Sequence, residues 1–225
     1  MTPFTQTINA HSARSVQQLA AEFQQYGALI IRPNEIPLDD EHWHQLESIL
    51  SSIEYEKVVG GDTGDAHSVW VGRFVNDVHQ PEPLHPLTDK VLNILMSPTM
   101  HKFFAAITGE TPLCVRRCQA NRLLVGDFIG YHIDQDTTPD YKATAIFQLS
   151  NEYKGGEFVV HHPDRGDVAV DFPRYSILMN RGDIPHQVKP VQSGVRSTLA
   201  CFFSTNFGPT QKPRTEIKVV AQSMS

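Results

Sequence analysis

The sequence contains few cysteines, no long apolar run and no surplus of positive charge. Three cysteines among 225 residues cannot build a dense disulfide framework, and we expect them to be reduced thiols. No stretch approaches the roughly 18 apolar residues that a membrane-spanning helix needs. Residues 1–15 also lack the apolar segment of a secretory signal. These absences predict a cytoplasmic location without membrane attachment.

The charge balance argues against a nucleic-acid partner. The formal net charge is −6, whereas proteins that bind phosphate backbones usually carry a basic surplus or stripe. A composition of 40% hydrophobic and 20% charged residues is typical of a globular domain, and no Pro/Gly/Ser-rich linker divides the chain. We therefore predict one domain over residues 1–225 that does not bind nucleic acid.

Residues 1–111 are predicted to be mainly helical. Apolar residues recur at helical spacing over residues 15–25, and Gly27 is placed to end that helix. A second helix, capped by Asp39 or Asp40, is predicted to run to about Ile53. Helical periodicity returns over residues 87–107, with an interruption near Pro98.

Residues 56–86 interrupt this helical part with a turn-rich stretch and a short predicted strand over residues 68–74. Loops of this length in compact domains are often lids over a pocket. We predict a lid here, with Asp62, His67, Trp70 and Arg73 as its candidates for facing a substrate. The alternative is an ordinary hairpin outside the pocket.

Residues 112–206 change in character to short strands separated by Gly, Pro, Asn and Asp turns. Eight such strands without intervening helices predict a jelly roll or barrel, whose mouth is a natural pocket. The fold class is therefore α+β and mainly β, with a jelly-roll core over residues 112–206 and a C-terminal tail over residues 207–225. The predicted strands are 113–125, 128–133, 141–150, 157–162, 167–170, 175–180, 186–189 and 196–204.

The segment GDFIGYHID, residues 126–134, contains the candidate metal ligands. Side chains two apart on a strand point to the same face, so His132 and Asp134 are expected to project together. His186, at the start of a later strand, is the candidate third ligand. Two histidines and one carboxylate form the facial triad that leaves positions open on iron(II), whereas a zinc hydrolase more often completes its site with another nitrogen or sulfur ligand.

A candidate anion-binding residue follows on the last predicted strand. Arg196 leads an otherwise apolar strand into the core, where an unpaired charge would be costly. Its guanidinium can hold a carboxylate through two hydrogen bonds, and Thr198, on the same strand face, can add a hydroxyl donor. The alternative is a strand-edge arginine paired with a surface acid.

From about residue 121 to residue 204 the sequence resembles the 2-oxoglutarate/Fe(II) dioxygenase superfamily, and most closely its prolyl 4-hydroxylase-like branch. The resemblance implies a double-stranded β-helix core with the N-terminal helices packed on its larger sheet. It also implies Fe(II) on the triad, 2-oxoglutarate bound to Arg196, dioxygen as the second cosubstrate, and ascorbate as a candidate additive. The shared elements, in order, are GDFIGYHID (126–134), FQLS (147–150), GGEF (155–158) and His186 followed by Val188, Pro190, Gly194 and Arg196.

Two positions depart from the pattern of that branch. Gln148 stands where relatives often place a tyrosine that touches the far carboxylate of 2-oxoglutarate, and its amide can donate to the same group. Arg122 replaces another frequent tyrosine, and either reaches the cosubstrate or a substrate carboxylate or is a solvated strand residue. A further departure, Arg174-Tyr175 in place of a usual glycine, is expected to change a turn and not the chemistry.

The resemblance implies an enzyme that hydroxylates an unactivated C–H bond and releases succinate and CO2. Asp134 favours hydroxylation, or desaturation or ring closure, because halogenating relatives have a small residue at that position. A small polar metabolite, such as a free amino acid or natural-product intermediate, is the first substrate hypothesis, with Arg122 or Arg73 as a partner for its carboxylate. The alternatives are a prolyl-type protein hydroxylase and a non-catalytic metal-binding jelly-roll sensor.

Overall fold

The computed structural model describes residues 12–61, 66–170, 172–212 and the backbone of 219–223, and its framework is one curled antiparallel sheet with helices against it. The strands of the N-terminal half are β1 (Ala28–Ile31), β2 (Glu56–Val59), β3 (His67–Asn76) and β4 (Glu82–Pro83). Those that follow are β5 (Cys114–Leu123), β6 (Phe128–His132), β7 (Ala143–Gln148), β8 (Tyr153–Gly155), β9 (Phe158–His162), β10 (Gly166–Val170), β11 (Ile177–Arg181), β12 (His186–Val188), β13 (Val191–Gly194), β14 (Arg196–Ser204) and β15 (Val219–Ser223).

Several helix ends lie at residues that cap or end helices. The Ser15 side chain accepts a hydrogen bond from the Gln18 backbone at the start of the first helix, and Gly27 ends that helix with φ 68°. Asp39 caps the second helix, and Pro98 opens the fourth. Among the described residues, no helix is long and apolar enough to cross a membrane. The helices are α1 (Val16–Tyr26), α2 (Asp40–Ser52), α3 (Thr88–Leu95), α4 (Pro98–Thr108) and α5 (Asp134–Thr137).

The sheet curls into two facing parts, as the predicted jelly roll requires. Its larger part has the order β1-β11-β7-β14-β5-β3, and its smaller part has the order β6-β12-β9-β10. The first residues of β3 join the two parts, because His67 and Ser68 pair with Ile129 and Phe128 of β6. Strands β8 and β13 form a separate two-stranded sheet. The predicted fold class is therefore confirmed.

Two hydrophobic cores lie on opposite faces of the larger sheet part. One core packs the helices on that sheet and includes Phe104 of α4 and Phe147 of β7. The other fills the space between the two sheet parts and includes Phe158, Val188 and Phe202. Side chains alternate between these faces along each strand. The prediction that the N-terminal helices pack on the larger sheet is confirmed.

The segment of residues 56–86 contributes strands to this framework. β3 spans ten residues and pairs with β5, so it belongs to the larger sheet part. Its buried residues Val69, Val71, Phe74 and Val75 suit a strand that is covered on both faces. His67, Trp70 and Arg73 all lie on β3, while Asp62 lies outside the described residues. The lid stays a prediction, and its described part is largely sheet.

The turn before β11 contains the one non-glycine residue with positive φ among those described. Tyr175 has φ 65°, which costs an L-residue about 1–2 kcal/mol. Its ring stacks on Trp43 at 5.1 Å between centroids, and its hydroxyl donates to Glu47 at 2.9 Å. The contacts of the Tyr175 side chain therefore offset its backbone strain and hold α2 on the sheet.

We expect Tyr175→Ala to be less stable than Tyr175→Gly by about 1 kcal/mol, and both to be less stable than the unmodified protein. Both variants lose the ring contacts, but only glycine relieves the strain. Urea unfolding of the three proteins measures the order. An alanine variant as stable as the glycine variant would contradict the expectation.

Candidate active site

A turn anchored by one carboxylate positions β6. Asp127 accepts hydrogen bonds from the backbone of Leu124 at 3.0 Å and from the hydroxyl of Ser68 at 2.7 Å, and it pairs with Lys57. Further along, Gly130 lies so close to β3 that a Cβ there would stand 2.2 Å from the carbonyl oxygen of Ala66. The backbone of Gly130 donates to that oxygen at 2.9 Å. The glycine and the carboxylate thus fix the strand that carries His132.

The structure brings His132, Asp134 and His186 together. Their ligand atoms all lie within 4.8 Å of one another, and they form the one such His/Cys/Asp/Glu group found among the described residues. His132 ends β6 and His186 begins β12, and these two residues pair directly in the sheet. Asp134 does not lie on the strand as expected, because it begins α5 after the extended residue Ile133. The extended backbone at Ile133 still turns His132 and Asp134 to the same side.

Hydrogen bonds orient each of these three side chains. His132 Nδ1 lies 2.8 Å from the carbonyl oxygen of Gly130, and His186 Nδ1 lies 3.0 Å from that of Ile184. Donation from Nδ1 leaves the Nε2 lone pair of each ring available. The two Nε2 atoms lie 3.5 and 3.8 Å from Asp134 Oδ1. The other oxygen, Asp134 Oδ2, accepts a hydrogen bond from Thr144 at 2.6 Å.

The protonation states suit metal binding. Burial by itself would raise the pKa of Asp134, but the neighbouring His186 and His132 lower it to about 2. Burial, with a further contribution from His132, lowers the pKa of His186 to about 4. Near neutral pH the carboxyl is therefore ionised and the His186 imidazole is neutral, which are the forms that coordinate a cation.

The buried His186 predicts an acid-sensitive fold in metal-free protein. In the unfolded chain this imidazole binds a proton near pH 6.5, whereas in the folded chain it stays neutral down to about pH 4. The unfolded state binds more protons between these values, so stability is complete above about pH 6.5 and falls as the pH drops toward 4. We expect His186 to account for a loss of about 3 kcal/mol across that window.

Urea unfolding in the presence of a chelator, at several pH values, measures this loss. The His186→Gln variant is the control, since it should show a shallower decline in the free energy of unfolding. Equal slopes for the two proteins would remove His186 as the source. Asp134 adds its own loss only below about pH 3.8, as the pH falls toward 2.

Arg196 and Thr198 line the same cavity as the triad. Arg196 begins β14 with 1% of its surface exposed, and its guanidinium lies 5.6 Å from the centre of the Phe172 ring. Thr198 is equally buried and follows two residues later on the same face. A buried guanidinium on the wall of a cavity is suited to an anionic ligand.

Gln148 lies beside this pair without lining the cavity. It is fully buried and is the cross-strand partner of Thr198. Its Nε2 donates to the carbonyl oxygen of Ser150 at 2.6 Å and to the hydroxyl of Tyr153 at 3.1 Å. Its contact with the cosubstrate stays a prediction.

The expectation for Arg122 is corrected by the structure. Its guanidinium donates to the carbonyl oxygen of Leu50 at 3.1 Å and lies 4.2 Å from the centre of the Tyr55 ring. Strand alternation explains this, because Arg122 shares a face of β5 with Cys118 and Ala120, which pack in the helix-side core. Arg122 faces away from the cavity, and a contact with cosubstrate or substrate there is withdrawn.

Sequence reasoning missed several residues that contact the triad, among them Thr144 and Phe158. Thr144 binds Asp134, and the ring of Phe158 stacks on His186 at 5.0 Å between centroids. Both belong to segments that were predicted as strands, but a strand prediction does not say which element faces which. Phe158 had a weak signal, since it ends the GGEF motif.

The donor set of the site fits iron(II). Two imidazole nitrogens and one carboxylate on one side of an ion are the ligands of mononuclear non-haem iron. Atoms that share one ion at about 2.1 Å cannot be more than about 4.2 Å apart, and the two measured Nε2–Oδ1 separations meet this limit. No cysteine sulfur joins the group, which leaves the set short of a closed structural zinc site.

Comparison with known proteins agrees with this donor set. Residues 118–204 match the family model of the 2OG-Fe(II) oxygenase superfamily, and the match includes the triad and Arg196. Over these residues the chain is similar to this superfamily. The superfamily is named for Fe(II) and 2-oxoglutarate, so the expected metal and cosubstrate are confirmed.

Individual proteins extend the comparison. A PKHD-type hydroxylase from Parvibaculum lavamentivorans is 35% identical over 107 residues, which cover 43% of this chain and 46% of that protein. The match thus spans less than half the length of this curated relative. A crystal structure of an oxidoreductase of the 2OG-Fe(II) oxygenase family from Burkholderia pseudomallei has a TM-score of 0.80 and 26% identity, covering 90% of this chain and 97% of that one.

A more distant structure supports the fold alone. A prolyl-4-hydroxylase of Pseudomonas putida has a TM-score of 0.58 and 15% identity, and the match covers 85% of this chain and 99% of that one. The shared jelly-roll framework agrees with the sheet order described above.

Proposed function

We propose that this protein is an oxygenase that hydroxylates an unactivated C–H bond of a small polar metabolite, such as a free amino acid or natural-product intermediate. His132, Asp134 and His186 would hold Fe(II), and Arg196 and Thr198 would bind the far carboxylate of 2-oxoglutarate. The observation that supports this most directly is that the triad and a buried arginine line one cavity. A binding module without catalysis would need neither the open-sided triad nor a second anion site beside it.

With dioxygen, Fe(II) and 2-oxoglutarate supply an oxidant able to break a C–H bond, and succinate and CO2 are released. The protein residues supply position and a dry environment. Thr144 fixes the orientation of the Asp134 carboxylate, while the backbone partners of His132 and His186 direct each Nε2 toward the same point. Ile129, Ile146 and Val188 add apolar walls to the cavity, which limit the access of water.

The test is the visible charge-transfer band of an Fe(II)–2-oxoglutarate chelate. Anaerobic protein with Fe(II) and 2-oxoglutarate should develop this band, and replacement of 2-oxoglutarate by succinate, which lacks the keto group, should not produce it. If folded, iron-loaded protein gives no band, the assignment of the cosubstrate site fails. If the band appears but no substrate in air stimulates succinate release, the cosubstrate site stands and the proposed hydroxylation is wrong.

A prolyl-type protein hydroxylase is the second candidate, and the name of the Parvibaculum relative favours a hydroxylase. Succinate release distinguishes the two candidates. It is measured with free amino acids and small acids, and separately with proline-containing peptides, and the class of compound that stimulates it is the substrate class. Stimulation by peptides alone would replace the metabolite hypothesis.

We also propose that residues 1–225 work as one catalytic unit in the cytoplasm, as a monomer or homodimer. The sulfurs of Cys118 and Cys201 lie 3.3 Å apart as free thiols, which suits a reducing compartment. The framework supports a single unit because β3 of the N-terminal half is an internal strand of the larger sheet part.

A further inference from the structure

A row of polar side chains runs along the inner face of β5. Arg117 Nε donates to Gln119 Oε1 at 2.8 Å, and Gln119 Nε2 donates to Asn121 Oδ1 at 2.8 Å. Gln119 and Asn121 are both buried, and all three residues line the cavity. Burial of a polar row costs free energy, so a strand selected for packing alone would carry apolar residues here. The row points to a polar ligand in the cavity.

A second arginine faces the cavity from the neighbouring strand. Arg73 of β3 is the cross-strand partner of Gln119 and also lines the cavity. Its guanidinium pairs with Glu56 at 2.7 Å, and the Glu56 side chain is 58% exposed. An exposed pair of this kind contributes little free energy, so another carboxylate can compete for the arginine.

The sheet register separates these two arginines from Arg196. Arg117 is opposite Phe202 on β14, and Gln119 is opposite Ala200. At about 3.4 Å per residue, these positions lie roughly 20 Å and 14 Å along β14 from Arg196. A single carboxylate cannot contact Arg196 and an arginine at these positions at once, so the two cationic ends of the cavity can hold two different carboxylates.

The outer cationic end lies near the triad. Thr144, whose hydroxyl binds Asp134, is opposite Phe202 on the other side of β14. Arg117 and Thr144 therefore stand in one row across the sheet, two strands or about 10 Å apart. A ligand bound at Arg117 can thus extend to the metal side of the cavity.

We propose that Arg73 and Arg117 bind a carboxylate of the substrate, so that the substrate is a small carboxylic acid presented to the metal from this outer end. The inference rests on the proposed function and narrows its substrate class. Two guanidiniums offer several N–H donors to one carboxylate. Gln119 and Asn121 hold Arg117 along the strand in advance, which lowers the entropic cost of binding. Arg73 and Arg117 would thus determine specificity without taking part in the chemistry.

Binding of matched ligand pairs tests this proposal. The probes are the standard L-amino acids and their carboxamides, which differ only in the charged group. They are titrated calorimetrically into anaerobic protein that carries Fe(II) and N-oxalylglycine, a stand-in that fills the 2-oxoglutarate site. At least one acid should bind about ten-fold or more tightly than its carboxamide.

Substitutions test whether Arg73 and Arg117 bind the carboxylate of the acid. Arg73→Gln and Arg117→Gln should each weaken binding of that acid about ten-fold or more, while their urea unfolding midpoints show whether the fold is kept. Arg181→Gln is the matched control, because Arg181 also forms an ion pair, with Asp183, but lies outside the cavity lining. Its acid affinity should equal that of the unmodified protein.

The proposal is overturned if no acid in the panel binds more tightly than its carboxamide, or if both cavity variants bind the acid normally. Failure of the proposed function has a different signature, since the charge-transfer band with 2-oxoglutarate would then be absent. A normal band with no preference for acids rejects the carboxylate site alone.

Discussion

Replacing Asp134 by alanine is expected to abolish succinate formation and to lower the affinity for Fe(II) by more than about 100-fold. Loss of a group that merely hydrogen-bonds a metal ligand costs about 10- to 100-fold, and here the ligand itself is removed. The substitution also leaves the Nε2 atoms of His132 and His186 without the carboxylate that lies 3.5 and 3.8 Å from them. Anaerobic dialysis against Fe(II) measures the affinity.

Thr144→Val is expected to cause a smaller loss of Fe(II) affinity in the same experiment. It removes the 2.6 Å hydrogen bond to Asp134 Oδ2 while keeping the shape of the side chain and the carboxylate. Fe(II) affinity should fall by about 10- to 100-fold, to a value between those of the Asp134→Ala variant and the unmodified protein. Full succinate formation by Asp134→Ala would take Asp134 out of the metal site, whatever Thr144→Val does.

Arg196→Gln is expected to weaken 2-oxoglutarate binding by about 30-fold or more. Truncating one partner of a buried, hydrogen-bonded charge pair costs about 2–5 kcal/mol, and Arg196 is 1% exposed. Titration of the charge-transfer band with 2-oxoglutarate gives the dissociation constant directly. The Fe(II) affinity measured without cosubstrate should change far less, since Arg196 is not one of the three grouped ligands.

Two further variants define the role of Arg196. Arg196→Lys keeps the charge but loses the paired donors of a guanidinium, so its affinity should lie between those of the glutamine variant and the unmodified protein. Arg181→Gln, outside the cavity, should leave the titration unchanged. Equal affinity in Arg196→Gln and the unmodified protein would move the cosubstrate carboxylate to another residue.

Features set by local chemistry could be predicted from the sequence. Ser15, Gly27 and Pro98 mark helix ends because capping depends on neighbouring backbone groups alone. The metal ligands were found because GDFIGYHID is a contiguous motif and His186 has a recognisable context. The departure from glycine at Tyr175 was noticed, but the stacking on Trp43 that accompanies its positive φ depends on the distant helix α2.

Features set by sheet register could not be predicted. Arg122 was expected at the cosubstrate, and Arg117 was not considered at all, because the two faces of β5 are distinguished only by what packs on each. The register also shifts between Phe202 and Phe203 of β14, opposite Arg117 and Val115. Such a bulge changes which side chains share a face, and no residue type in the segment predicts its position.

Because the two faces of β5 have different roles, substitutions on one face need not affect the other. Positions 117, 119 and 121 contact the cavity, while positions 118 and 120 contribute to the helix-side core. Substitutions in the first set can alter ligand preference while leaving the second set, and with it the seating of the helices, intact. A lineage or a laboratory library can therefore diversify the odd-numbered positions one at a time. A single-residue deletion within the strand would exchange the two sets, and we expect it to abolish both ligand binding and the packing of the helices.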